Sequence, residues 1–316
     1  MKLLEERIGT EVAIENILFA TDFSPASEVA LPYVTALSLR YGSMVHVAHV
    51  LPDPLAVSLG APDPAVMGAI YEGVHSNAQE KIQQLGNRLR RYAHKNYLRR
   101  GKVADEIAQL IDSQNIDLLV LGTHGRTGLG RLLMGSVAEE IFRTAPVPVL
   151  TVGPRVRAFV ESTPGRHAPE LPPTQMNFCH ILYATDLSPA TEHGCSYAVS
   201  LAREFRSQLT LLHVIEDYGE QLRKHPKLID EALEKLTELL PEKDGFCYMP
   251  ELLARYGSPG EVILETAEES GADLIVIGVR PPAGHLMSTT HLGGSTAHRV
   301  VVGANCPVLT VRNETR

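Results

Sequence analysis

IDLLVLGTHGRTGLGRLLMGSVAEEIFRTA, residues Ile116 to Ala145, is the stretch that decides the fold. Leu118-Leu119-Val120-Leu121 is a short apolar run of the kind that forms a buried strand in a parallel sheet. Gly122 ends it, and a loop with further glycines at 125, 128 and 130 follows. Gly135-Ser136 then opens a helical segment in which Val137 and Ile141 stand four apart. Strand, glycine loop and helix N-terminus together make an anion site. Glycine amides turn towards a phosphate with no Cβ in the way, and the helix dipole favours negative charge. The loop does not end in Gly-Lys-Ser/Thr, so it is not a P-loop, and it lacks the Rossmann G-x-G-x-x-G.

Working outward, residues 17–50 (ILFATDFSPASEVALPYVTALSLRYGSMVHVAHV) align without a gap on 181–214 (ILYATDLSPATEHGCSYAVSLAREFRSQLTLLHV), with 14 of 34 positions identical. The offset is 164, and the chain is an internal duplication. In each copy a short strand (Ile17 to Ala20, Ile181 to Ala184) ends in Thr-Asp, and Ser24-Pro25 or Ser188-Pro189 predicts a helix start by N-cap serine and N1 proline. The first helix is expected to run to about Tyr41, with a second strand at Val45 to Val50 and its repeat at Leu209 to Val214. A proline-rich loop and a helix from about Ala69 to Lys95 are expected next, then a weak third strand near Asn96 to Leu98. The basic run Arg88 to Arg100 reads as a solvated helix face rather than a binding patch. Helix Val103 to Ser113 carries the stripe Ile107, Leu110, Ile111. Each copy closes with the same wording, PVLTV, at 148–152 and 307–311.

Alternation of strand and helix predicts an α/β protein of two tandem doubly wound, Rossmann-like domains, each with a mainly parallel five-stranded sheet. The domains are expected at 1–153 and 178–316, joined by a proline-rich linker over 154–177. Ligands of such sheets bind outside the carboxyl ends of the strands. Asp22 after strand 1, Val50 at the end of strand 2 and Gly122 after strand 4 therefore belong on one edge.

The spacing G-x-x-G, nine residues, G-S, together with the Thr123-His124-Gly125-Arg126 wording, resembles the nucleotide signature of the universal stress protein family. The likeness extends through both copies. It implies the adenine-nucleotide α-hydrolase-like version of the fold, with ATP as ligand and Mg²⁺ on its phosphates. By that resemblance Asp22 contacts the nucleoside and the backbone of Val50 meets the adenine. Gly122, Gly125, Gly135, Ser136 and the adjacent Val137 hold ribose and phosphate, and Arg126 and Arg131 are within reach of phosphate. From the residues alone, Asp22 stabilising the turn into helix 1 and the arginines being solvated stay open. His124, His49 and His213 read as loop or packed histidines. The family resemblance also implies dimerisation through last strands, so the two PVLTV strands are expected side by side in an intramolecular pseudo-dimer, with a homodimer of the whole chain also open.

The second copy departs from the signature. Its loop reads Gly278-Val-Arg-Pro281-Pro282-Ala-Gly284 and ends at Gly294-Ser295. Proline stands where Gly125 stands, which removes an amide donor and fixes φ. Nucleotide is therefore expected mainly in the first domain. No Ser-His-Asp wording, H-E-x-x-H or G-x-S-x-G occurs, so no catalytic residues and no resident metal site are expected, and at most slow ATP hydrolysis. An adenylating enzyme would want S-G-G-x-D-S after strand 1, where this chain has TDFSPAS. That reading and a nucleotide-free interaction domain are the alternatives. A net charge of −8 gives no electrostatic footprint for nucleic acid. No apolar run reaches membrane-spanning length, and four cysteines without metal-like spacing suit reduced thiols in a cytoplasm.

Overall fold

The computed structural model describes residues 12–53, 64–123, 134–153, 155–156, 178–189, 191–216, 226–241, 245–279 and 295–312. The chain divides into two compact units, one mainly Ile14–Pro154 and the other mainly Asn177–Arg316. Each repeats one element order. The first contains β1 (Asn16–Ala20), α1 (Pro25–Tyr41), β2 (Met44–Leu51), α2 (Pro64–Arg88), β3 (His94–Arg100), α3 (Val103–Ser113), β4 (Leu118–Gly122), α4 (Ser136–Thr144) and β5 (Val149–Val152). The second contains β6 (His180–Thr185), α5 (Glu192–Phe205), β7 (Gln208–Glu216), α6 (Pro226–Glu238), β8 (Glu251–Gly257), α7 (Pro259–Ser270), β9 (Leu274–Val279), α8 (Thr296–Gly303) and β10 (Val308–Arg312).

In the first unit the strands run in the order β3-β2-β1-β4-β5, all parallel. In the second the order is β8-β7-β6-β9-β10, again all parallel. The order reverses direction at the first strand, so right-handed crossovers put α1 and α2 on one face and α3 and α4 on the other. The α3–α4 face closes over Leu18, Ala48, Val50, Leu119 and Leu121, with Ile107, Leu110 and Ile111 of α3 packed down as their helical spacing predicts.

Three local expectations are corrected. The helix placed at Ala69 to Lys95 begins at Pro64, a proline at the first helical position, and ends at Arg88. The basic run is therefore not one helix face: its second half is β3, seven residues paired along β2 from Val45↔His94 to Leu51↔Arg100. Its charge marks an edge strand, where lysine and arginine discourage pairing with other chains. In the second copy, Ser188-Pro189 does not start the helix. α5 begins at Glu192 with Thr191 as N-cap, and the buried Ser188 Oγ has no hydrogen-bond partner among the described residues. Ser24, its counterpart, does cap α1, accepting from Ser27 N at 3.2 Å. A lost serine cap costs about 1 kcal/mol, so something else must hold the second copy's loop.

At the amino-terminal edge, Asp117 Oδ2 accepts from Glu15 N and Asn16 N, both at 2.8 Å. Asp273 does the same for Cys179 N (2.8 Å) and His180 N (3.0 Å). Beside the first of these, His46 is buried between Asn16 Oδ1 (3.2 Å) and the Tyr97 hydroxyl (3.1 Å). Burial, with the Lys95 ammonium nearby, holds its pKa below the ordinary histidine value. Because the folded state prefers neutral imidazole, His46 contributes stability that is complete above the unfolded value of about 6.5 and is lost as pH falls below it. His46→Gln is expected to flatten the fall in melting temperature between about pH 6.5 and 5, read by calorimetry. An unchanged slope would contradict this.

Candidate nucleotide site

The site is built where the parallel strands of the first unit end. Ala20 lies level with Ala48 of β2 and Leu121 of β4, so the segments leaving β1, β2 and β4 emerge on one edge. After β1 the backbone makes a tight, strained turn. Phe23 sits at φ 59°, left-handed territory for a residue with a Cβ. Two side chains hold it there: Thr21 Oγ1 accepts from Phe23 N (3.0 Å) and Asp22 Oδ1 from Ser24 N (2.9 Å). His49 Nδ1 meets Thr21 O at 2.7 Å, and its ring lies 4.4 Å from that of Phe23.

The second unit repeats the hydrogen bonds of this device, without the ring contact, since Leu187 stands where Phe23 does. Leu187 is at φ 60°, its N donates to Thr185 Oγ1 (3.0 Å), Ser188 N donates to Asp186 Oδ1 (2.9 Å), and His213 Nδ1 meets Thr185 O (3.0 Å). Asp22 therefore does use one oxygen to fix the turn, as the local reading of Thr-Asp allows. The packed histidines belong to the same device. Sequence reasoning did not assign a part in the turn to Thr21, to His49, or to Ser27, whose Oγ lies 2.9 Å from Thr21 Oγ1. The signal was available: Thr21/Thr185 and His49/His213 are identical across the repeat.

Val50 is 8% exposed and in the sheet core, so only its backbone faces the edge. Gly122 is the last residue of β4, level with Val152. Thr123 continues from it fully buried, donates its N–H to Val152 O (3.0 Å), and receives the Gly135 N–H on its own carbonyl (2.9 Å). That bond brings the start of α4 back to the end of β4 across the loop. Gly135 is the N-cap of α4 and has no side chain to satisfy the first turn, which leaves the amides of Ser136 and Val137 at the positive end of the helix. Ser136 is exposed, and Val137 is 43% exposed. Gly125, Arg126, Arg131 and His124 lie outside the described residues. So do Pro281, Gly284 and Gly294 of the second copy.

The corresponding helix of the second unit starts differently. Ser295 rather than the glycine before it is the N-cap of α8, and its Oγ accepts from His298 N at 3.2 Å. The second copy thus spends on its own serine an amide that the glycine cap of the first leaves uncapped. Among the described residues no three His, Cys, Asp or Glu side chains group to hold a metal ion. A Mg²⁺ here would be held by phosphate oxygens and water with one carboxylate, Asp22, which suits that ion's habit of keeping its waters.

A doubly wound parallel unit given twice in one chain, with a glycine-capped helix at the switch point of the first copy and a serine-capped one in the second, defines a tandem Rossmann-like α/β protein. The chain belongs to the universal stress protein family: the family model matches residues 13–153 and 177–312. A universal stress protein of Mycolicibacterium smegmatis is 27% identical over 315 residues, 94% of this chain and 97% of that protein. The universal stress protein MJ0577 of Methanocaldococcus jannaschii is 27% identical over 158 residues, 45% of this chain and 96% of its own length. A solved universal stress protein of Archaeoglobus fulgidus shares the fold with a TM-score of 0.63 at 21% identity, over 95% of this chain and 98% of that one.

Proposed function

We propose that the protein binds ATP, accompanied by Mg²⁺, through its first unit and works as a regulatory or protective module of the stress response. The observation that carries this reading is the meeting, on one sheet edge, of Asp22, the end of β2 and the Thr123–Gly135 bond that joins the end of β4 to the start of α4. A carboxylate accepts ribose hydroxyls or supports the cation, and the α4 amides receive phosphate oxygens. The reading is of a protein that holds nucleotide rather than turning it over, since among the described residues of the edge none has the arrangement of a base on a water. A cytoplasmic location accords with four free thiols and with the absence, among the described residues, of a helix long and apolar enough to cross a membrane.

Titration calorimetry of the full chain tests it. One ATP per chain is expected, weakened roughly 10- to 100-fold by Asp22→Ala, with turnover well under about 1 per second. No binding by the wild type would remove the proposal. The rival reading, a nucleotide-free interaction module, is favoured by one observation: the Gly135 N–H is already bonded to Thr123 O.

The same reading extends to assembly. β5 and β10 carry identical wording and each is the edge strand of its own unit, so pairing them would remove two exposed edges. A double variant with cysteines at Thr151 and Thr310, in a background freed of the four native cysteines, is expected to cross-link within one chain under mild oxidation. Failure to cross-link at any position along the two strands would refute the pseudo-dimer.

A further inference from the structure

The turn after β6 has the same anchors as the turn after β1, yet α5 starts three residues later than its counterpart α1. Three differences between the copies meet at this place: Phe19, Ser27 and Ala30 of the first are Tyr183, Thr191 and Gly194 of the second. Tyr183 is fully buried, and its hydroxyl donates to Thr191 O at 2.6 Å. Burial raises its pKa, so it remains a neutral donor at any working pH. Thr191 Oγ1 lies 3.0 Å from Asp186 Oδ1, 2.9 Å from Ser188 O and 2.9 Å from Thr185 Oγ1. Held this way, Thr191 rests on the end of β9. A Cβ on Gly278 would come within 2.5 Å of Thr191 Cβ and 2.7 Å of its Cα, and one on Gly194 within 3.2 Å of Gly278 N. Carbon atoms at rest stand about 3.5–4 Å apart, so nothing fits between the end of β9 and the β6–α5 turn.

We propose that Tyr183 is the residue that decides which unit accepts a nucleoside: by latching Thr191 onto Gly278 it closes the second cleft. The proposal rests on the nucleotide reading of the first unit and adds to it a cause independent of the phosphate loop. Ser188 Oγ, buried without a partner among the described residues, is the mark of the displaced alternative. In the first unit the equivalent serine caps the helix and its carbonyl receives Glu28 N at 3.1 Å. The sequence Ser188-Pro189 still encodes that start.

The test uses the full chain as wild type, Tyr183→Phe, and the triple variant Tyr183→Phe/Thr191→Ser/Gly194→Ala, which restores the first unit's residues. Adenosine is the probe, because it makes no demand on the altered phosphate loop. Nuclear magnetic resonance reads the helix start from the shifts and amide exchange of position 191 and Glu192, and binding from the amides of Leu187 and His213. In the variants α5 is expected to extend to Pro189, with Glu192 amide exchange slowed about tenfold or more as it gains a helical bond, and adenosine is expected to shift Leu187 and His213. In the wild type only the first unit should respond. A helix start that does not move in either variant overturns the proposal, and so does a moved start with no response to adenosine. If the wild-type first unit binds neither adenosine nor ATP, the functional reading fails, and the helix start alone then decides for or against the latch.

Discussion

Leu119→Ala is expected to destabilise the first unit by about 2–5 kcal/mol, the range for emptying a fully enclosed leucine site. Leu119 is 0% exposed in β4, pairs beside Leu18 of β1 and packs in the cluster that α3 and α4 cover. Neighbours from two strands and two helices surround it, so the site cannot collapse without moving an element, which places the loss towards the top of the range. Hydrogen exchange under increasing urea is the suitable readout, because it follows peptides of β1 and β4 apart from those of β6 and β9. An exchange midpoint for β4 within 1 kcal/mol of the wild type, on the same order-of-magnitude scale, would show that Leu119 is not enclosed as described.

The fold was legible in the sequence because its signals are local and doubled. Apolar runs such as Leu118 to Leu121, the Ser24-Pro25 start and the Ile107-Leu110-Ile111 stripe each act within a few residues, and the repeat reads them twice. β3 was not legible. Its residues, HKNYLRR, are held by pairing with β2 and show no apolar alternation, so the cause lies in another strand. The late start of α5 was hidden for the same reason. The serine–proline signal is local and intact, and it loses to Tyr183, five residues upstream and in a different element. At the site, Asp22, Val50, Gly122, Gly135, Ser136 and Val137 are the motif residues that lie within the described part, while the hydrogen bond of His49 to Thr21 O that braces the turn comes from the spatial meeting of β1 with β2. The capping difference between Gly135 and Ser295 was invisible for a further reason. Both copies read Gly-Ser, and only the structure shows that the helix begins one residue later in the second.

That capping difference supplies the prediction with the largest effect on binding. Gly135→Asp is expected to abolish ATP binding by the first unit while leaving folding intact or slightly improved. Gly135 has φ −62° and ψ 143° as N-cap of α4, a conformation open to any residue, so no backbone strain opposes the change. Aspartate is among the best N-cap residues and glycine is only slightly poorer, so the helix gains a few tenths of a kcal/mol at most. The same carboxylate then occupies the first-turn amides that a phosphate would use, much as Ser295 Oγ occupies one in the second unit. It also sets a negative charge against the triphosphate where the dipole had favoured it. Losing two charge-assisted hydrogen bonds, at about 1.5–3 kcal/mol each, weakens binding by roughly two to four powers of ten, beyond the added repulsion. Calorimetry should therefore show no ATP heat in Gly135→Asp, with a melting temperature at or above that of the wild type. Retained ATP affinity in this variant would place the phosphates somewhere other than the start of α4.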